Sequence, residues 1–323
     1  MDFLSAIFWI VAGAVLIIWG ADRLTDGASS LARRLGMSDL VVGLTVVAFG
    51  TSAPELAISL ISAIEGSSEL AIGNVVGSNT FNVLVIVGAT AVIKPVKVGK
   101  GLMINEIPLT VLSAVVLLSI GLQHEINRTD GIMLLCFFAI FMRYVLAQSS
   151  GKSSGNDVQA TVSDSASLLM PMWKSCMWIA VGLICLLFGG NRFVAGASDV
   201  ARLLGVSEAV IGLTIVAIGT SLPELAASLA AARKGHTDMA LGNVIGSNIF
   251  NIFLVLGVSA TITPLPFGDI SMTDLWVMLG ACCLFWLCGR IIGRNVITRV
   301  EGALMLLCYV AYTIYLVLTA TGA

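Results

Sequence analysis

Charged side chains are scarce in this chain of 323 residues: 11% are Asp, Glu, Lys or Arg, whereas 58% are hydrophobic. Soluble globular domains carry about 25% charged residues, so the composition excludes an ordinary water-soluble protein. The net charge of −2 also gives no basic surface for nucleic acid. We therefore expect the lipid bilayer as the surroundings, with no nucleic-acid partner and no obligate protein partner indicated.

Ligands for soft metals are also missing. The seven cysteines lie in apolar runs without any CxxC spacing, and the two histidines, His124 and His236, fall in short polar loops. This pattern argues against a zinc, copper or iron site and against a permanently bound cofactor. No lysine or arginine lies deep inside an apolar run, so no basic side chain is placed to bind an anionic substrate.

Long apolar runs are what the chain does contain. Each is close to the roughly 20 residues that a transmembrane helix needs. The first run lacks a basic start and continues into a repeated unit, so we expect a span rather than a cleaved signal peptide. The fold class predicted is an all-α integral membrane protein with ten transmembrane helices, at 3–22, 40–63, 70–93, 102–122, 129–148, 172–191, 209–232, 239–262, 272–290 and 299–320.

The sequence contains an internal duplication. Residues 20–95 recur as residues 189–264 without a gap, and a direct count finds 40 of the 76 paired positions identical. Identity is densest in GTSAPE, which matches GTSLPE, and in GNVVGSNTFN, which matches GNVIGSNIFN. Duplicated hydrophobic segments that are interrupted at matching places are typical of secondary transporters.

The duplication predicts an inverted repeat. A polar, Ser- and Gly-rich stretch separates two halves of five spans, which sets the predicted domains at 1–147 and 172–323 and a linker at 148–171. Because five is odd, the second half must enter the membrane from the opposite side. Fourteen of the seventeen Lys and Arg fall in loops on the linker side, the exceptions being Arg128, Arg192 and Arg202. The positive-inside rule predicts a cytoplasmic linker, with both termini outside the plasma membrane.

Two glutamates, Glu55 and Glu224, lie near the middle of apolar spans, where a charge costs roughly 2.5 kcal/mol or more. Pro54 and Pro223 precede them, remove a backbone N–H each and free a main-chain carbonyl. Each copy also supplies hydroxyl groups beside its glutamate, those of Thr51, Ser52, Thr220 and Ser221. A carboxylate at this depth, next to interrupted helix, indicates a functional cavity.

The second repeated phrase adds Ser78 and Asn82 in one copy, and Ser247 and Asn251 in the other. Each pair is spaced i, i+4 and so shares a helix face. The GxxxG patterns in the same phrase predict close helix packing, which would bring these faces to the glutamates. The combined donor set consists of oxygen alone, which suits hard cations such as Ca²⁺ and Na⁺.

At these two phrases the chain resembles the cation/Ca²⁺ exchanger superfamily, in particular its bacterial Na⁺/Ca²⁺ antiporter-like branch. GTSAPE and GTSLPE are similar to the family signature of the second and seventh helices, and GSNTFN and GSNIFN to that of the third and eighth. The resemblance implies that these four helices surround the ions. It also implies that the long first and sixth helices slide past them to give alternating access.

The resemblance implies a ligand set as well. Glu55 and Glu224, with the carbonyls of Thr51 and Thr220, would form the calcium site, and Asn82 and Asn251 would face its centre. The flanking sodium sites would be lined by Thr51, Ser52, Ser78, Thr220, Ser221 and Ser247 and by the carbonyls of Ala48 and Ala217. Ca²⁺ and Na⁺ are then transported ions rather than cofactors.

One departure from the family leaves the coupling ion open. Many members carry an aspartate at one of the positions that Asn82 and Asn251 occupy here, as do potassium-dependent exchangers, so we expect potassium-independent Ca²⁺/Na⁺ antiport. The alternative is Ca²⁺/H⁺ antiport by the same glutamates. An intramembrane enzyme would need a histidine or lysine at depth to activate a serine, and a passive cation channel would not need an inverted repeat.

Overall fold

The computed structural model describes residues 3–150, 170–204, 217–268, 270–292 and 295–321. In the first half the helices are α1 (Phe3–Leu35), α2 (Asp39–Thr51), α3 (Ala53–Ile64), α4 (Ser68–Ile93), α5 (Leu102–Gly121) and α6 (Arg128–Ser150). In the second half they are α7 (Met172–Leu203), α8 (Ala217–Thr220), α9 (Leu222–Arg233), α10 (Thr237–Ile262), α11 (Met272–Arg290) and α12 (Arg299–Thr321). The short strands are β1 (Val96–Lys97), β2 (Glu125–Ile126), β3 (Leu265–Pro266) and β4 (Val296–Ile297).

The helices are those of a multi-pass membrane protein. Within the described residues, eight helices are long and apolar enough to cross a bilayer, and α2 with α3 makes a ninth span that bends by 46°. The predicted seventh span lies partly outside the described residues, and α8 and α9 are its described part. The predicted all-helical class is therefore confirmed.

The first and sixth spans are longer than the sequence analysis predicted. Their ends were placed at residues 22 and 191, whereas the helices continue to Leu35 and Leu203. The helices continue further because hydropathy detects only the segment that lies in hydrocarbon, and the polar residues that follow it still form helix, in agreement with the long first and sixth helices that the resemblance implies. Gly36, with a φ of 65°, follows the end of α1, in a backbone conformation that glycine adopts without steric cost.

Glycines spaced by seven residues join α1 to α7 in an antiparallel pair. A Cβ on Gly20 would lie 2.8 Å from the Gly182 carbonyl oxygen, and one on Gly13 would lie 2.7 Å from the Gly189 carbonyl oxygen. Such approach requires residues without side chains. The two long helices therefore contact each other backbone to backbone along their length.

The core contains α2, α3, α4, α9 and α10. The GxxxG pattern of the second copy packs on α2, since a Cβ on Gly242 would lie 2.7 Å from the Leu40 carbonyl oxygen and one on Gly246 would lie 2.7 Å from Ala48 Cβ. Most of the counterpart of α2 in the second copy, residues 208–216, lies outside the described residues, and α8 is its described part. The predicted close packing is thus found for the GxxxG pattern of α10.

Two antiparallel strand pairs join the halves. β1 pairs with β4, Val96 opposite Ile297, and β2 pairs with β3, Ile126 opposite Leu265. Each pair links a loop of the first half to a loop of the second. The predicted linker begins inside the end of α6, at residue 148, and residues 151–169 lie outside the described residues.

Candidate ion-binding site

The site begins with a break between α2 and α3. Ser52 leaves helical geometry with φ −82° and ψ 6°, and Pro54 occupies the first turn of α3. Ser221 does the same between α8 and α9, with φ −90° and ψ 5°. Each break places its glutamate in the first turn of the next helix, where the helix dipole favours a negative charge.

Both glutamates are fully buried and each has one oxygen bonded. Ser78 Oγ donates to Glu55 Oε1 at 3.5 Å, and Ser52 Oγ donates to Glu224 Oε1 at 3.1 Å. The Oε2 atoms of both glutamates are buried without a hydrogen-bond partner. Among the described residues no ion pair joins either carboxyl group to a basic side chain. Since Ser52 and Glu224 come from different halves, the two copies build one site.

The threonines and the remaining serine of the two breaks also contact the opposite half. Thr51 Oγ1 lies 3.1 Å from Asn243 Oδ1 and 3.1 Å from the Val47 carbonyl oxygen. Thr220 and Ser221 lie beside the Glu55 carboxyl group. The hydroxyl groups of each break therefore face the glutamate of the other half.

The carbonyls assigned by resemblance occupy the same breaks. The Ala48 carbonyl oxygen accepts the Ser52 N–H at 3.0 Å, so it lies one turn before the break. Ala217 is the first residue of α8, in the equivalent place. Both alanines therefore lie in the helices that end at the breaks, just before the helices that contain the glutamates.

The amide side chains face one another across the two halves. Asn82 Nδ2 donates to Asn248 Oδ1 at 3.1 Å, and Asn251 Nδ2 donates to Asn79 Oδ1 at 3.0 Å. The Oδ1 atoms of Asn82 and Asn251, and the hydroxyl oxygen of Ser247, have no partner. Helical geometry at Asn82 and Asn251 changes to π-helix, in Asn82–Val87 and Phe250–Leu256, a local widening often found at functional sites.

Six buried atoms without hydrogen-bond partners belong to these residues, and every one is oxygen. They are Glu55 Oε2, Glu224 Oε2, Asn82 Oδ1, Asn251 Oδ1, Ser221 Oγ and Ser247 Oγ. An unsatisfied buried polar group costs about 1–3 kcal/mol, so such a concentration requires an explanation. The donors gathered here are carboxyl, amide and hydroxyl oxygens, which are the ligand types that hard cations prefer.

Comparison with known proteins identifies the family of this chain. The sodium/calcium exchanger protein family model matches residues 5–147 and 174–318, one match for each half. The chain belongs to the sodium/calcium exchanger family. It is therefore a membrane transporter, a cation exchanger rather than an enzyme or a passive channel.

Individual members of the family cover almost the whole chain. The putative antiporter CaxA of Alkalimonas amylolytica is 41% identical over 96% of this chain and 98% of its own length. The inner membrane protein YrbG of Escherichia coli is 36% identical over 87% of this chain and 88% of its own. A structure of the sodium-calcium exchanger NCX_Mj soaked with Na⁺ and Ca²⁺ superimposes with a TM-score of 0.83, at 33% identity over 96% of this chain and 98% of that one.

Sequence reasoning missed the amides that support this exchanger site. Asn74 Nδ2 donates to Ser59 Oγ at 3.0 Å and to the Glu55 carbonyl oxygen at 3.4 Å. Asn243 makes the equivalent bonds in the second half, at 3.0 Å to Ser228 and 3.3 Å to the Glu224 carbonyl. Their signal was an asparagine that both copies retain inside an apolar span.

Proposed function

We propose that this chain exchanges Ca²⁺ for Na⁺ by alternating access across the plasma membrane, which for a bacterial cell is the inner membrane. The observation that carries the proposal is the set of six unpartnered buried oxygens from both halves. Ca²⁺ takes 6–8 oxygen ligands, and its two charges match those of Glu55 and Glu224 when both are ionised. The naming of NCX_Mj as a sodium-calcium exchanger supports the same substrates.

The proposed ligands are those that the family resemblance implies. Ca²⁺ would bind between Glu55 and Glu224, with the carbonyls of Thr51 and Thr220. Na⁺ would bind at flanking positions lined by Thr51, Ser52, Ser78, Thr220, Ser221 and Ser247 and by the carbonyls of Ala48 and Ala217. Asn82 and Asn251 would face the central ions through Oδ1.

Exchange follows from the charge of the site. Two buried carboxylates without basic partners would oppose occlusion of the empty carrier, because a buried unpaired charge is costly. Either Ca²⁺ or Na⁺ removes this penalty, and the two compete for the same oxygens. In the proposed cycle the halves 1–147 and 172–323 supply equal parts of the site, and the glycine-packed pair α1 and α7 slides past it.

The test is radiolabelled Ca²⁺ flux in proteoliposomes, with Na⁺, K⁺ and H⁺ gradients imposed one at a time. We expect an opposing Na⁺ gradient to drive Ca²⁺ uptake, with no requirement for K⁺ on either side, since Asn82 and Asn251 add no third carboxylate. Ca²⁺ uptake that ignores the Na⁺ gradient would contradict Ca²⁺/Na⁺ exchange. A requirement for K⁺ would contradict only the potassium-independent part.

Ca²⁺/H⁺ antiport is the second candidate, and the neutral pair Asn82 and Asn251 favours it. With only two carboxyl groups in the site, two protons could compensate their charge as completely as one Ca²⁺ does. In the same vesicles, uptake driven by a pH gradient in the absence of Na⁺ would select this candidate.

A further inference from the structure

We propose that Asn79 and Asn248 are positioning residues: with Asn251 and Asn82 they form a four-amide circuit that aims two amide oxygens at the transported cation and keeps both positions neutral. The inference rests on the proposed function, because it assigns these oxygens to the same cation site. Neither Asn79 nor Asn248 is among the ligands that the family resemblance implies. All four side chains are at most 1% exposed.

Two backbone carbonyls orient the circuit. Asn79 Nδ2 donates to the Asn248 carbonyl oxygen at 3.2 Å, and Asn248 Nδ2 donates to the Asn79 carbonyl oxygen at 3.5 Å. A carbonyl oxygen can only accept a hydrogen bond, so the nitrogen of each amide must face it. This requirement removes the usual ambiguity between the oxygen and nitrogen of an asparagine side chain.

The orientation then passes to the neighbouring amides. Because Asn79 Nδ2 is bonded to the Asn248 carbonyl, Asn79 Oδ1 faces Asn251. Asn251 must therefore donate from its own Nδ2, which it does at 3.0 Å. Asn248 presents Oδ1 to Asn82 in the same way, at 3.1 Å. The Oδ1 atoms of Asn251 and Asn82 are therefore turned to the other side, where both are buried without a partner.

The hydrogen bonds of the circuit also limit which side chains fit at positions 251 and 82. An ionised aspartate at position 251 would set an acceptor oxygen against Asn79 Oδ1, and neither atom could donate; only the protonated, neutral acid could donate there. Turning the Asn79 amide to relieve this contact would point its oxygen at the Asn248 carbonyl and leave that carbonyl unbonded. The same argument applies to position 82 through Asn248. The circuit thus limits the site to the two charges of its glutamates.

Double-mutant cycles on the half-saturating Ca²⁺ concentration in proteoliposomes test the proposal. Asn79→Ala and Asn251→Ala should each raise this concentration by about tenfold, the worth of one hydrogen bond, and the double variant by little more than the larger single effect. Asn79→Ala combined with Asn82→Ala should multiply the two effects, since these residues share a helix without sharing a bond. Coupling would therefore cross between the halves.

The control is Thr80→Val, next to Asn79 and also buried; within the described part of the chain the Thr80 hydroxyl bonds the Val76 carbonyl oxygen of its own helix, at 2.8 Å, and no other group. We expect its half-saturating Ca²⁺ concentration to be unchanged. If Asn79→Ala does not fold, the cycle is run with Asn79→Ser, which also removes the amide that bonds the Asn248 carbonyl oxygen and Asn251.

Three results would overturn the inference. Multiplying effects for Asn79 with Asn251, in a chain whose wild type transports Ca²⁺ normally, would refute the circuit alone. An equal shift in Thr80→Val would show a general effect of packing and refute it too. A wild type without Ca²⁺ transport would overturn the proposed function and, with it, this inference.

Discussion

Replacing Glu55 or Glu224 by glutamine removes one charge while preserving side-chain shape. In Glu55→Gln the amide oxygen takes the place of Oε1, because Ser78 donates to that atom. The amide nitrogen then occupies the place of Oε2, which has no partner in the wild type. The substitution therefore removes both a charge and a ligand, and it points a donor at the cation. Glu224→Gln should do the same, since Ser52 donates to Glu224 Oε1.

The expected loss follows from the burial of the site. Removing one partner of a buried charge pair costs about 3–5 kcal/mol, and each 1.4 kcal/mol is a factor of ten. The half-saturating Ca²⁺ concentration should rise by roughly two to three and a half orders of magnitude, which abolishes Na⁺-driven uptake at ordinary concentrations. Coulomb energy scales with the product of the charges, so Na⁺ should lose about half as much free energy as Ca²⁺.

The assay is Na⁺-driven radiolabelled Ca²⁺ uptake in proteoliposomes, together with Ca²⁺ binding to the purified protein. Glu106→Gln is the matched control, because Glu106 is a buried carboxylate whose Oε1 accepts from Tyr144 and Gln148 at 2.9 Å each, outside the candidate site. We expect this variant to transport normally. Near-normal uptake in Glu55→Gln or Glu224→Gln, or an equal loss in Glu106→Gln, would refute the assignment.

Three further outcomes are expected. Ser52→Ala removes the 3.1 Å hydrogen bond to Glu224. A hydrogen bond to a charged group contributes about 1.5–3 kcal/mol, so the apparent Na⁺ affinity should weaken by about 10- to 100-fold. An unchanged Na⁺ dependence of uptake would contradict this. Gly20→Ala places a Cβ 2.8 Å from a carbonyl oxygen of α7. The resulting overpacking should lower the free energy of unfolding by about 1–3 kcal/mol, and with it the Tm in detergent. Gly280→Ala is the control and should leave the Tm unchanged, because no described atom lies within 4 Å of the added Cβ. A protease site inserted at residues 151–169 should be cut in inside-out vesicles and spared in right-side-out ones; the reverse pattern would invert the topology.

The sequence predicted the elements of the site because its signals are local. A carboxylate next to proline inside an apolar run marks Glu55 and Glu224 without any knowledge of their partners. Spacing of i, i+4 likewise places Ser78 and Asn82 on one helix face. A repeat of five spans, an odd number, requires inversion, so two halves meeting at one site could be anticipated from length and identity alone.

What the sequence could not supply is the pairing between helices. Periodicity predicts which face of a helix is polar, but it does not predict that Ser52 bonds the glutamate of the other half. Asn79 lies three residues before Asn82, and its role depends on a carbonyl 169 residues away, which no local pattern encodes. The π-helical segments Asn82–Val87 and Phe250–Leu256 were missed for a related reason, since most of their residues are as apolar as those of an ordinary transmembrane helix.

The matched contacts of the two halves explain where the duplication has remained identical. Asn74 and Asn243 reach their serines at the same 3.0 Å, and the two bonds between amides of different halves differ by only 0.1 Å, at 3.0 and 3.1 Å. An identical contact made twice constrains both copies to the same residue, whereas positions that face lipid or loops meet different neighbours and can diverge. In the proposed alternating-access cycle the halves of an inverted repeat exchange roles when access changes sides, so the identical pairs would stabilise both access states equally. A preference for one state must therefore arise where the copies differ, outside the paired glutamates and amides.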